Sequence, residues 1–151
     1  MLTEIELKNF QKHLHLFYPF SEGLNLIVGQ NWSGKSSLLR AVRVALFGVS
    51  AGKVKAEGLT GPDGPSWWVG LSFQLKGREF FVERSPRKAL LTEAGRETPL
   101  ASGHSAVTAE IESLIGSASA FLTFQVALQG EADTLLTLGA AKLAAHIESV
   151  I

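Results

Sequence analysis

The chain has no cysteine and no surplus of charge of either sign: lysine plus arginine equals aspartate plus glutamate at 14 each, in 151 residues. Without thiols there is neither a disulfide framework nor a thiolate metal site. Balanced charge means that no bulk positive field advertises nucleic acid, although a local basic patch remains compatible with it. No apolar run approaches the ~20 residues that span a bilayer. The start, Met1 to Glu6, carries acid and lacks the basic-then-apolar order of a secretory leader. A soluble, cytoplasmic protein with no membrane partner is the expectation. Internal repeats and low-complexity segments are also missing. What remains is a chain that is 46% hydrophobic, enough for a real core and of a length that suits one domain.

Against that plain background one string stands out: Gly29-Gln30-Asn31-Trp32-Ser33-Gly34-Lys35-Ser36. It follows an apolar run, Leu24 to Val28, read as a central strand covered on both faces. It leads into a segment, Ser36 to Phe47, whose Leu38, Val42, Ala45 and Leu46 recur at helical spacing. Strand, glycine, four residues, Gly-Lys-Ser and helix make a phosphate-binding loop. Gly29 lets the chain leave the strand in a conformation that other residues resist, and Gly34 lets backbone approach an anion closely. The amides of Asn31, Trp32, Ser33 and Gly34 line the loop, and the helix start adds unpaired N–H groups and partial positive charge. Lys35 is expected on the β- and γ-phosphates, Ser36 on Mg²⁺ and Ser37 on the α-phosphate. A chance match has odds on the order of one percent from composition alone, so ATP with Mg²⁺ is the expected ligand.

Elsewhere the pattern is mostly strand. Ile5 and Leu7 alternate with charged residues; Leu14 and Leu16 alternate with His13 and His15 up to Pro19; Val69, Leu71, Phe73 and Leu75 alternate with Gly70, Ser72, Gln74 and Lys76. Gly77 suits a turn into Glu79–Arg84, which Ser85-Pro86 breaks. Ala89–Thr92 and Glu97–Leu100 read as a hairpin around Ala94-Gly95, completing an antiparallel meander. Ser50–Pro65, rich in glycine, reads as a loop. Of Trp67 and Trp68, one is expected in the core. Arg40 and Arg43 read as surface charge, Arg84, Arg87 and Lys88 as a basic group at a turn, and His13 and His15 as exposed edge-strand residues without a third metal ligand. From Ser105 to Ile115 a helical stripe runs to Gly116. A short helix is expected at Ser119–Gln125 and a last one at Ala140–Ile151. That stripe runs to the final residue without a stop signal, which points to a piece of a longer protein.

Lys8-Asn9-Phe10-Gln11-Lys12-His13, the string GQNWSGKSS, Leu38-Leu39-Arg40-Ala41-Val42, Leu114-Ile115-Gly116, Phe121 and Leu128-Gln129-Gly130-Glu131 together resemble the N-terminal part of SMC-like ATPases, above all the SbcC type. The resemblance implies an α/β fold: a P-loop NTPase, the first half of an ABC-type head, with a mixed core sheet, an antiparallel β-meander and a small helical lobe. Residues 1–100 would form the nucleotide-binding core and meander, and 101–151 the helical lobe with the Q-loop, leading toward a coiled coil. Gln129, rather than Gln125, would contact Mg²⁺ and the attacking water, and Lys12 would lie near the nucleotide. Implied partners are a C-terminal head segment with the signature and Walker B motifs, a second head, an SbcD-type nuclease and DNA. The chain departs from the family at Trp32, where glycine is usual, and at Gln11, where arginine is common. It has no Leu-Ser-Gly-Gly string and no apolar strand ending in Asp-Glu, so it is expected to hydrolyse ATP only at background rate alone. Alternatives are a RecF- or RecN-type recombination ATPase and a nucleotide switch without turnover. A P-loop kinase needs an arginine-rich lid that is not visible here.

Overall fold

In the computed structural model, which describes residues 1–52, 55–118 and 121, strands pair in the order β2-β1-β3-β4-β5-β6 in one six-stranded sheet. The strands are β1 (Leu2–Phe10), β2 (His13–Pro19), β3 (Trp68–Leu75), β4 (Arg78–Arg84), β5 (Ala89–Glu93) and β6 (Ala101–Ser102). Every pairing is antiparallel. Together with two helices, Lys35–Phe47 and His104–Ile115, this sheet gives the expected mixed α/β class, with the meander in place. The parallel part of a mixed sheet is not formed by the described residues.

Alternation decides which face is buried. Ile5, Leu7, Val69, Leu71, Val82 and Leu91 are all fully buried, and the register sets Ile5 opposite Leu71, which lies opposite Val82 and then Leu91. Helix α1 (Lys35–Phe47) packs on β1, β3 and β4. It contributes Leu38, Ala41, Val42, Ala45 and Leu46 to the core, the stripe expected from a 3.6-residue period. Gly48 ends it at φ 80, its N–H donating to the Val44 carbonyl at 2.9 Å, a backbone turn that glycine adopts without Cβ strain. Trp67 is the buried tryptophan of the pair and meets Phe10 edge-on. Trp68 lies on the opposite face, under the Lys8 ammonium and bonded through Nε1 to Glu83.

Three expectations are corrected. Leu24–Val28 joins no strand: the segment has no ladder partner among the described residues, and Leu24, Leu26 and Val28 are 92%, 78% and 78% exposed. Apolar sequence suits a strand, but a strand forms only where a neighbour takes its N–H and C=O groups. The return strand of the last hairpin is Ala101–Ser102, not Glu97–Leu100; Pro99 has no N–H to give a ladder, and pairing resumes with Leu100 N–H on the Leu91 carbonyl. Arg43 and Arg84 are not surface charge, since each is only 1% exposed.

Arg84 closes the C-terminal end of α1. Its Nε donates to the Ala45 carbonyl at 2.7 Å and its Nη2 to Leu46 at 3.0 Å, with Thr108 Oγ1 and the His104 carbonyl also within reach. These are two of the four carbonyls that a helix end leaves without partners. Burial pulls the guanidinium pKa down to about 10, still far enough above neutral for it to stay charged. The loop 55–66 contains a 3₁₀ turn, Ala56–Leu59, and a bridge between Thr60 and Phe10. Helix α2 covers His104–Ile115. By its contacts the chain divides into Met1–Glu110 and Ile111–Ile151. Gln125, Gln129, Glu131, the helix expected at Ser119–Gln125 apart from Phe121, and the helix expected at Ala140–Ile151 lie outside the described residues. Among the described helices, none is long and apolar enough to cross a membrane.

Candidate nucleotide-binding loop

The site is the start of α1 and the loop that precedes it. Gly34 is the N-cap, at φ 98, and it offers no side chain to cap the helix; the first turn carries no acid. The first N–H groups of α1 are thus left to a ligand, which is what an anion needs. Gly34 must be glycine for two reasons. Its φ lies in the left-handed region, and a Cβ there would stand 2.6 Å from both Cε1 and Nε2 of His13. Gly29 is not at a positive φ, so the expectation that it leaves the preceding run in a conformation other residues resist is corrected; a Cβ on it would come within 2.7 Å of Ser33 Oγ, a contact that rotation of the serine hydroxyl relieves.

Lys35 folds back over its own loop, its Nζ donating to the carbonyls of Gly29 and Gln30 at 2.7 Å each. The ammonium is thereby held inside the curve of the loop, where a phosphate would exchange carbonyl oxygens for its own. Ser33 N–H donates to the Gln30 carbonyl at 3.2 Å and tightens the turn. Ser36 is exposed and Ser37 buried, so only the first presents its hydroxyl freely. Asn31 is exposed as well. Trp32 is 88% exposed at φ 68. That left-handed conformation is where glycine would sit without strain, and tryptophan holds it with the indole turned to solvent.

The turn between β1 and β2 lies alongside. His13 Nε2 is 3.1 Å from the Gly34 carbonyl, so His13 is a half-buried neighbour of the loop rather than an exposed edge residue. Gln11 accepts from Arg40 Nη1 at 2.8 Å and donates to the Gly58 carbonyl at 2.9 Å. Asn9, buried at φ 48, donates to the carbonyls of Asp63, Gly64 and Ser66 and accepts from the Asp63 N–H. Lys12 is exposed on the same turn. His15 pairs with Glu6 at 2.9 Å, and that bond, with Lys8 nearby, holds the Glu6 carboxyl below its ordinary range. Among the described residues no group of three His, Asp or Glu could hold a metal ion. The exposed Ser36 hydroxyl is an oxygen donor of the kind that suits magnesium, which is commonly held by one or two protein oxygens, phosphates and water. Spacing revealed the loop itself, but not the neighbours of Gly34; the Asn-Phe-x-x-His turn was the only sign of them.

A family model described as an AAA domain matches residues 4–99. A DNA double-strand break repair Rad50 ATPase of Archaeoglobus fulgidus is 31% identical over 137 residues, covering 90% of this chain and 15% of that protein. The Rad50 ATPase of Methanocaldococcus jannaschii is 31% identical over 91% of this chain and 14% of its own length. The chain thus spans roughly one seventh of these relatives. Among solved structures, the recombination mediator protein RecF with ATPrS aligns at a TM-score of 0.53 and 29% identity, over 74% of this chain and 29% of that one. An SMC head domain from Thermotoga maritima aligns at a TM-score of 0.51 and 23% identity, over 78% and 46%, a likeness of fold.

Proposed function

Because the chain belongs to the AAA-domain family, as an SMC-like ATPase head sequence of the Rad50 and SbcC kind, we propose that it binds ATP with Mg²⁺ through residues 29–37. The observation that carries this reading is the uncapped start of α1, with Gly34 at φ 98 and the Lys35 ammonium drawn into the loop. Loop amides and Lys35 hold the phosphates; the exposed Ser36 hydroxyl takes the metal, and Ser37, whose side chain is buried, is assigned to the α-phosphate on its motif alone. Lys12, exposed on the turn that carries His13, is assigned a charge near the nucleotide on the family resemblance alone. Gln129 is assigned to the metal and the attacking water on its motif alone. In phosphoryl transfer such groups supply position and charge stabilisation rather than covalent chemistry.

Hydrolysis requires a C-terminal head segment with the signature and Walker B motifs, and the run 24–28, which joins no strand and exposes Leu24, Leu26 and Val28, is where that segment would pair. Completed heads close in pairs on ATP and act in the cytoplasm in double-strand-break repair, with DNA and an SbcD-type nuclease as partners. The test is complementation. The chain alone should hydrolyse ATP at background, and co-expression with such a C-terminal polypeptide should yield a complex that turns over. Robust turnover by the 151 residues alone contradicts the proposal.

A second reading has support of its own. A RecF of Prosthecochloris aestuarii is 51% identical over 41 residues, 27% of this chain and 11% of that protein. A RecF-type recombination ATPase would do without the nuclease. Capture of an SbcD-type nuclease by the completed head separates the two.

A further inference from the structure

We infer that His13 is a positioning residue for nucleotide binding: its Nε2–H, bonded to the Gly34 carbonyl, aims the Lys35 amide at the bound phosphates. This rests on the nucleotide reading above. The Gly34 carbonyl accepts two hydrogen bonds, from the Leu38 N–H at 3.0 Å and from His13 Nε2 at 3.1 Å. A carbonyl only accepts, so Nε2 must carry the proton. The Gly34–Lys35 peptide is trans, and in a planar trans peptide the C=O and N–H point opposite ways. Holding the oxygen on the helix side therefore holds the Lys35 N–H facing outward from the helix start, where the anion binds. At φ 98 glycine has wide freedom, and this second bond removes it.

The brace has a rigid foundation. Asn9 and Gln11 sit at φ 48 and φ 51, conformations that cost energy for residues with a Cβ. Both are tied to loop 55–66: Asn9 through its side chain to Asp63, Gly64 and Ser66, and Gln11 through Leu59 and Gly58. The same turn grips α1 a second time, since Gln11 accepts from Arg40. The two grips are about 9 Å apart along the helix at 1.5 Å per residue. His13 thus pushes from an anchored turn.

The test uses the 151-residue chain with His13→Phe, which keeps a ring and loses the donor, and His13→Gln, whose amide donates. Without nucleotide, the Leu38 amide should exchange with solvent about tenfold faster in His13→Phe and within about threefold of the parent in His13→Gln, the scale of one hydrogen bond. Amides of β4 should be unchanged. With a fluorescent ATP analogue and Mg²⁺, affinity should fall about tenfold in His13→Phe and recover in His13→Gln. Nitrogen NMR of the parent chain at neutral pH should find the His13 proton on Nε2. A proton on Nδ1 alone, or Leu38 exchange unchanged in His13→Phe, overturns the inference. Absence of analogue binding by the parent counts against the nucleotide reading, and the exchange and tautomer results still judge the brace.

Discussion

The two ends of α1 are finished in opposite ways. At the C-terminal end the protein satisfies its own backbone: Arg84 takes the Ala45 and Leu46 carbonyls, and Gly48 returns its N–H to Val44. At the N-terminal end the cap is a glycine without a side chain, the first turn has no acid, and the nearest cation leans on loop carbonyls. Chain that supplies its own partners is building structure. Where partners are withheld but the neighbouring carbonyl is held by a histidine, the vacancy is shaped for a ligand.

The largest effect should come from the closed end. Arg84→Met leaves two buried carbonyls unpartnered and should cost about 4 kcal/mol in urea unfolding. A loss under about 1 kcal/mol would mean that water replaces the guanidinium and that the closed end is not closed. Next, Leu71→Ala opens a cavity in the core and should cost about 3 kcal/mol, whereas Leu26→Ala, at an exposed position, should stay within about 0.5 kcal/mol. Equal losses would show that the 24–28 run is packed after all. At the open end, Gly34→Ala meets both a left-handed φ and the His13 ring and should cost about 1–2 kcal/mol, together with weakened nucleotide binding. The smallest effect is acid sensitivity. Arg78 bonds to Glu93, and Lys88 and Trp68 to Glu83, so both carboxyls titrate below the usual 4.5. For Glu83 burial is the largest influence and pushes the other way, but the two bonds outweigh it. Their stabilisation is therefore full above pH 4.5 and is lost as pH falls through the lower folded values. Glu93→Gln should shrink the fall in melting temperature between pH 5 and pH 3, read by circular dichroism; an unchanged fall would assign it to other carboxylates.

Much of this was legible before the fold was seen. Alternation marked Ile5 and Leu7 and the run Val69 to Leu75, with Glu79–Arg84 following the turn at Gly77, and the apolar stripe marked α1, because one side of each element is buried and the period shows it. The phosphate loop was legible because glycine, Gly-Lys-Ser and the helix after them stand at fixed spacing. Leu24–Val28 was misread because sequence records apolarity, not whether a neighbouring strand is present. Arg43 and Arg84 were misread because a charged residue is hidden only where long-range partners wait, and the acceptors of Arg84 are residues far along the chain. The contact of His13 with Gly34 depends on how a hairpin turn lies beside a loop, which no local pattern encodes.

The most direct measurement is calorimetric titration of a non-hydrolysable ATP analogue with Mg²⁺ into the chain and into Lys35→Ala, each with and without the complementary C-terminal segment. The account predicts saturable one-to-one binding to the parent, weakened roughly tenfold to a hundredfold by loss of the ammonium, with unchanged melting of the ligand-free protein. Equal affinity in both, or binding by neither even beside that segment, would contradict it.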